Sequence, residues 1–291
     1  MKKAAILIDA GFFMQRVHAT HRKHFAEHEL TAQCIMKVIW SMVLSHLNGK
    51  RQSQERREPL ELYRIYFYDC PPLDIQTRLP LPEPGNKTPG RKNFKLEKSY
   101  ILRTELHEEL RKTRKTALRL GNLVDNKRWQ LTTFSLDALM KGTKKWDELT
   151  NDDFYYDIKQ KQVDIKLGMD ITTLAYEKLV DVIVLVAGDS DFVPAAKHAR
   201  IKGIDFILDP LRQNVTPSLS EHIDGVQSYS LISGLADALH VEPDPAPDWW
   251  EDRKKGNCIY FKINRCNSLN NAILISRSPP KPHNPAKNKS I

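Results

Sequence analysis

The sequence has no apolar run long enough to cross a membrane, and its N-terminal run, Ala4–Ile8, is too short for a secretory signal. A cytoplasmic protein with no membrane partner is therefore expected. Only four cysteines occur among 291 residues: Cys34, Cys70, Cys258 and Cys266. No two form a C-x-x-C pair, so a zinc site or a thioredoxin-like motif has little support. Free thiols in a reducing compartment are the ordinary reading. There is no internal repeat.

What is present suits a folded, soluble chain. A hydrophobic fraction of 41% supplies a core, and 28% charged residues supply a surface. The net charge of +9 favours an anionic partner, with nucleic acid ahead of membrane. A local excess lies between Arg91 and Arg119, where ten Lys/Arg face four Glu.

Two short apolar runs organise the reading. Ala4-Ala5-Ile6-Leu7-Ile8 ends at Asp9, and Val182-Ile183-Val184-Leu185-Val186 leads into Gly188-Asp189-Ser190-Asp191-Phe192. Both have the length and β-branched content of buried strands. Thr31 to Leu47 has helical spacing with Thr31 as a candidate N-cap, and Leu62–Tyr68 is a second strand ending at Asp69. Strand, helix, strand in that order predicts a parallel pair. Leu96–Leu120 is expected as one long amphipathic helix closed by Gly121-Asn122, with Trp129–Phe134 a short strand. Val163–Leu179 is a helix, 182–187 a strand, Phe192–Lys202 a helix and Asp205–Leu208 a strand; Leu219–Leu235 is mixed.

This pattern predicts a three-layer α/β domain over residues 1–240, with a mainly parallel central sheet and a basic, partly helical insertion at about 71–160. Residues 241–291 form a Pro-rich linker and a basic tail, expected to be largely disordered, although 258–263 has the composition of a strand.

In an open parallel sheet, ligands bind outside the carboxyl ends of the strands. If the two runs are parallel neighbours, Asp9, Asp189 and Asp191 converge there. Like charges gathered so closely repel unless a cation lies among them. Oxygen-only ligands of this kind suit Mg²⁺ or Mn²⁺. Ordinary turn chemistry competes, because Asp and Ser are favoured N-caps and Pro194 is at home in a first helical turn. Asp164, near the start of its helix, is a further candidate ligand. Asp170 lies about 120° around that helix and roughly 9 Å along it, so the two cannot readily share one ion. Asp170 and Ser190 are assigned supporting roles, Asp170 as a second carboxylate behind the ligands or as the partner of a basic residue.

The strand ending Leu7-Ile8-Asp9, the helix Val163-Asp164-Ile165-Lys166-Leu167-Gly168-Met169-Asp170 and the block Ala187-Gly188-Asp189-Ser190-Asp191-Phe192-Val193-Pro194 resemble the NYN domain. The nearest branch is the LabA-like group, related to PIN nucleases, and the resemblance spans about residues 4–235. It implies a doubly wound fold and a metal-dependent, ribonuclease-type acidic pocket made by Asp9, Asp164, Asp189 and Asp191. Many NYN domains carry an asparagine shortly after the first aspartate, where this chain has Phe12 and Phe13. A haloacid-dehalogenase-type phosphatase is set aside because Gly11 stands where its second aspartate belongs. A Toprim site is set aside because the first strand ends in aspartate, not glutamate.

The functional expectation is a Mg²⁺- or Mn²⁺-dependent nuclease acting on RNA or another nucleic acid. Its rivals are a non-catalytic RNA-binding module of the same fold and a phosphohydrolase acting on nucleotides. A homo-oligomer is left open. Arg91, Lys92, Lys95, Arg111, Lys112, Arg114 and Lys115 are the candidate phosphate contacts. His18, His21, His24 and His28 cluster, but in surroundings that suit a solvated segment. Phe12, Phe13, Trp249 and Trp250 are candidate stacking residues, with core packing the stronger reading for the phenylalanines. Asp69 and Asp209 also follow strands, where a simple turn accounts for them.

Overall fold

The structure is a computed structural model describing residues 1–48, 58–215 and 220–245. In chain order the first elements are β1 (Lys3–Asp9), α1 (Ala10–His24), α2 (Ala32–Leu47), β2 (Glu61–Asp69), β3 (Gln76–Arg78), β4 (Arg91–Asn93), α3 (Lys98–Lys112) and β5 (Thr116–Leu120). There follow β6 (Asn122–Leu131), α4 (Thr133–Met140), β7 (Phe154–Lys161), α5 (Val163–Tyr176), β8 (Val182–Val186), α6 (Val193–Ile201), β9 (Asp205–Asp209), β10 (Gly225–Val226) and α7 (Leu231–Leu239).

Six strands form one sheet in the order β10-β9-β8-β1-β2-β5, every pairing parallel. Side chains alternate across a strand with period two, and both faces of this sheet are covered. Ala4, Ile6 and Ile8 of β1, with Val182, Val184 and Val186 of β8, pack against α1, α2, α3 and α7. Ala5, Leu7, Ile183 and Leu185 pack against α5 and α6 on the other face. The near-continuous apolar text of these strands thus records burial on two sides. Fully burying one such side chain contributes about 1.5–3 kcal/mol.

The expected parallel pair of β1 and β2 is present, and Thr31 caps α2 by accepting the N–H of Cys34 at 3.2 Å. Two expectations are corrected. The stretch 96–120 is not one helix: α3 ends at Lys112, Lys115 takes a left-handed φ of 59°, and 116–120 becomes the edge strand β5. β5 reads as helix because it is only partly buried and continues the leucine spacing of α3; pairing with β2 decides otherwise. Gly121 consequently closes no helix. A Cβ there would lie 2.5 Å from the Lys161 carbonyl oxygen, so its small size serves close packing beside β7.

The span 71–160 is likewise not a wholly separate insertion, since α3 and β5 belong to the main domain. What projects is two antiparallel ribbons, β3–β4 and β6–β7, with α4 beside them. Phe94, Trp129 and Tyr156 join the ribbons through ring contacts with centroids 5.2–6.2 Å apart. The linker from Pro247 onward and the basic tail, with Trp249, Trp250, Cys258, Cys266 and the 258–263 segment, lie outside the described residues. Among the described residues, no helix is long and apolar enough to cross a membrane.

Candidate functional site

Three parallel strands end in an aspartate, and the fold gives the three different company. Asp69 closes β2 on the α3 face and is 1% exposed. Arg103 donates to it from Nε at 2.6 Å and again through Nη2, and His107 Nε2 lies 2.7 Å from Oδ2. Burial pushes this carboxyl up, but the Arg103 charge and the His107 hydrogen bond outweigh it and hold the group below the usual range. Asp209 closes β9 fully buried, with His46 Nε2 at 2.9 Å and the N–H groups of Leu211 and Tyr229 donating to it. Both aspartates are satisfied by buried partners and hold loops in place.

Asp9 is satisfied differently. Its Oδ1 accepts the N–H of Gly11 at 2.9 Å and of Phe12 at 3.4 Å, so it caps α1. Period-two alternation puts it with Ala5 and Leu7 on the α5 face. Arg103 is within electrostatic reach of it, but that guanidinium hydrogen-bonds to Asp69, and among the described residues no side-chain cation is hydrogen-bonded to Asp9. Burial first, then the charge of Asp164, push its carboxyl up to about 7 against the two N–H donors. Asp164 is the second residue of α5 and exposed, and burial, Asp189 and Asp191 raise it in turn. Asp189 follows β8 and accepts the N–H of Asp191 at 3.3 Å, capping the 3₁₀ turn Ser190–Phe192 that precedes α6.

Capping and clustering thus coexist. Strand β1 has β2 on one side and β8 on the other, so the chain order reverses there, which is where open sheets form a crevice. Asp9, Asp164, Asp189 and Asp191 stand around this reversal within electrostatic reach of their neighbours. They are not drawn into a ready coordination sphere: among the described residues, no group of three or more His, Cys, Asp or Glu is placed to hold a metal ion. Phe12 crowds the same place, since a Cβ on Gly188 would lie 2.5 Å from its ring. Phe13 is core, edge-on to Phe67.

Asp170 turns from the cluster to accept the Tyr68 hydroxyl at 2.8 Å and Arg119 Nε at 3.0 Å. It is the partner of a basic residue. Ser190 sits within the capped turn.

The basic set divides. Arg91 and Lys92 lie on β4, and Lys95 pairs with Asp74 at 2.9 Å beside the ribbons. Arg111, Lys112, Arg114 and Lys115 lie where α3 runs into the start of β5, and Lys115 reaches the Leu62 carbonyl at the start of β2. Parallel strands put these four residues at the end of the sheet away from the carboxylates. At 3.3 Å per residue, the nine-residue β2 separates them by roughly 25 Å. The histidines form no metal group either: His21 meets the His28 carbonyl at 2.8 Å and His24 that of Asp244 at 2.7 Å.

Arg103 and His107 escape the sequence reading. They lie 34 and 38 residues from Asp69, on a helix whose visible signal is its stripe of leucines. Their only trace is a basic pair at i and i+4 facing the same way as that stripe.

The family model of the NYN domain matches residues 107–223. The match takes in Asp164, Asp189 and Asp191 and leaves Asp9 outside. An uncharacterized protein of Methanocaldococcus jannaschii is 26% identical over 134 residues, 46% of this chain. The chain spans about half the length of that relative, 51%. No solved structure matches.

Proposed function

We propose that this chain, whose residues 107–223 match the NYN domain, is a divalent-metal-dependent nuclease acting on RNA, of the LabA-like kind. One observation carries the reading. Of the three strand-ending aspartates, Asp69 and Asp209 are engaged by donor side chains, Arg103 with His107 and His46, whereas Asp9 accepts only backbone N–H groups and lies within electrostatic reach of Asp164. A fold that gives side-chain donors to two such groups and a neighbouring carboxylate to the third suits the third to a cationic ligand.

The donor chemistry fits a hard divalent cation: oxygen ligands only, mutually repelling, three of the four side chains exposed at the mouth. Asp9, Asp164, Asp189 and Asp191 would hold it as Mg²⁺ or Mn²⁺. Such an ion lowers the pKa of bound water and offsets charge on a phosphodiester in the transition state. The chain's own contribution is position. Asp9 is fixed by the α1 N-terminus, Asp189 by the turn it caps, and Asp164 by the first turn of α5. One carboxylate takes the proton of the attacking water.

The test is incubation of the full chain with end-labelled single-stranded RNA and Mn²⁺, with and without chelator. Cleavage that chelation abolishes, and that Asp189→Asn lacks, supports the nuclease. Intact RNA under all conditions overturns it.

A second reading has its own support. The carboxylates are not gathered into a metal sphere, and Phe12 crowds Gly188 where the family often has asparagine. Both favour an RNA-binding module that has kept the fold without cutting. A gel shift without cleavage, unchanged in Asp189→Asn, would identify it.

A further inference from the structure

Asp69 is held by more than its burial requires. Asp209 shows what suffices in this fold for a strand-ending carboxylate: the His46 imidazole at 2.9 Å and the N–H groups of Leu211 and Tyr229. Asp69 has the matching set, the His107 imidazole at 2.7 Å and the Cys70 N–H at 2.7 Å. Arg103 comes in addition, and drawing a guanidinium out of water carries a desolvation penalty of its own.

The contact between Arg103 and Asp69 is side-on. Nε donates to one carboxylate oxygen at 2.6 Å and Nη2 donates to the other. A planar guanidinium has five N–H groups, and a side-on pair uses two of them. Its outer end is left over, with one N–H of Nη2 and both of Nη1. Among the described residues Nη1 has no acceptor, yet it is not one of the unpartnered atoms sealed from solvent. The Arg103 side chain is 22% exposed, against 0% for Asp69 and 3% for His107. Of these three groups, only Arg103 opens outward.

Register fixes where that opening lies. β1 and β2 run parallel with Asp9 opposite Tyr68, so Asp69 is one residue past the partner of Asp9. With about 4.8 Å between strands and about 3.3 Å per residue, the α-carbons of Asp9 and Asp69 stand about 6 Å apart. Their side chains leave opposite faces, but each is the last residue of its strand, where the sheet stops dividing the two faces. The groups accordingly feel one another: the charge of Asp69 acts on Asp9, and that of Asp9 on Arg103. A crevice rich in carboxylates repels a phosphate, so admitting one calls for a cation at its edge. The two parallel N–H groups at the outer end of a guanidinium match two oxygens of such an anion.

We infer that Arg103 is a phosphate-binding residue: its outer N–H groups take the non-bridging oxygens of an RNA backbone phosphate at the edge of the Asp9 crevice, while Asp69 and His107 hold the guanidinium in place. The ligand is taken from the nuclease reading, but the contact is one of binding and does not depend on cleavage.

The test measures affinity of the full chain for labelled single-stranded RNA across a salt series, in chelator and again in Ca²⁺. It compares the wild type, Arg103→Lys and the double variant Arg103→Met/Asp69→Asn, with folding checked by circular dichroism. The double variant leaves no buried charge unpaired, and Arg103→Lys keeps a cation beside Asp69, so the test does not hang on one of them folding. The expected result is a severalfold weaker affinity in the double variant, with the slope of log K against log salt smaller in magnitude by about 0.7 for one lost contact. Arg103→Lys should also bind severalfold more weakly, because an ammonium held by Asp69 has no second pair of fixed N–H groups to offer. A purely structural role would lower affinity without moving the slope. Wild-type affinity in folded Arg103→Lys, or a wild-type slope in the folded double variant, overturns the contact even if Asp189→Asn shows the nuclease to be real. Weaker binding with a smaller slope in a protein that never cuts RNA upholds the contact and overturns the nuclease. A wild type that binds no RNA under either condition overturns both.

Discussion

The ring of Phe12 lies against the α-carbon of Gly188, so close that a methyl group there would stand 2.5 Å from Cε2. This contact ties the first turn of α1, which Asp9 caps, to the tip of β8, just before the turn that Asp189 caps. Gly188→Ala should therefore destabilise the protein by about 1–3 kcal/mol, the usual range for overpacking. In urea denaturation, the double variant Phe12→Ala/Gly188→Ala should lose less than the two single losses added together. Strict additivity would mean that the contact is not what limits position 188.

The pairing of Asp69 with Arg103 makes a second prediction. Arg103→Met leaves a buried carboxylate with only His107 and one N–H beside it. Breaking one side of a buried pair typically costs about 3–5 kcal/mol. The double change Arg103→Met/Asp69→Asn should recover much of that. A midpoint shift near zero for Arg103→Met alone would contradict the assignment of Asp69 to structure.

Asp153 gives the projecting ribbons a dependence on acid. Burial pushes its carboxyl up, but Lys144, the Ser135 hydroxyl and the Thr150 N–H outweigh it and hold it at about 2. A folded-state value below the unfolded 3.8 contributes stability that is present above about 4 and lost as pH falls towards 2. Asp153→Asn should flatten that part of the stability curve, checked by thermal melts between pH 2 and 6.

The carboxylate cluster has the opposite sign. Asp9 is raised from 3.8 to about 7, so without divalent ion its contribution is full below about 4 and disappears as pH rises through 7. Asp164→Asn removes one like charge and should stabilise the metal-free protein at pH 8 by about 0.5 kcal/mol, since the group is exposed. Mn²⁺ should raise the melting temperature of the wild type, and by less in Asp164→Asn. At a hundredfold excess over its dissociation constant, a bound ligand adds about 2.7 kcal/mol. A melting temperature indifferent to Mn²⁺ at pH 8 would count against an ion among these side chains.

Much of the core was legible because burial on two faces leaves a simple signature. The middles of β1, β2, β8 and β9 are short apolar runs, and the helical spacing of α2 and α5 survives in Ile35, Val38, Ile39 and in Leu167, Ile171, Leu174. Edge elements were harder to see. β5 is only partly buried, and β10 is two residues long, so neither carries a strong period. The four carboxylates of the candidate site stood out as residues following strands or opening helices. The same positions are favoured caps, and Asp9 and Asp189 do serve as caps.

The layered α/β plan and the aspartates that close its strands are already written in the chain, because apolar periodicity and chain order are local properties. What surrounds each aspartate emerges only on folding. Asp69 meets Arg103 and His107, Asp209 meets His46, and Asp9 comes within electrostatic reach of Asp164, through partners 34 to 163 residues away. Charge compensation acts through space at a few ångströms, and no spacing along the chain records it.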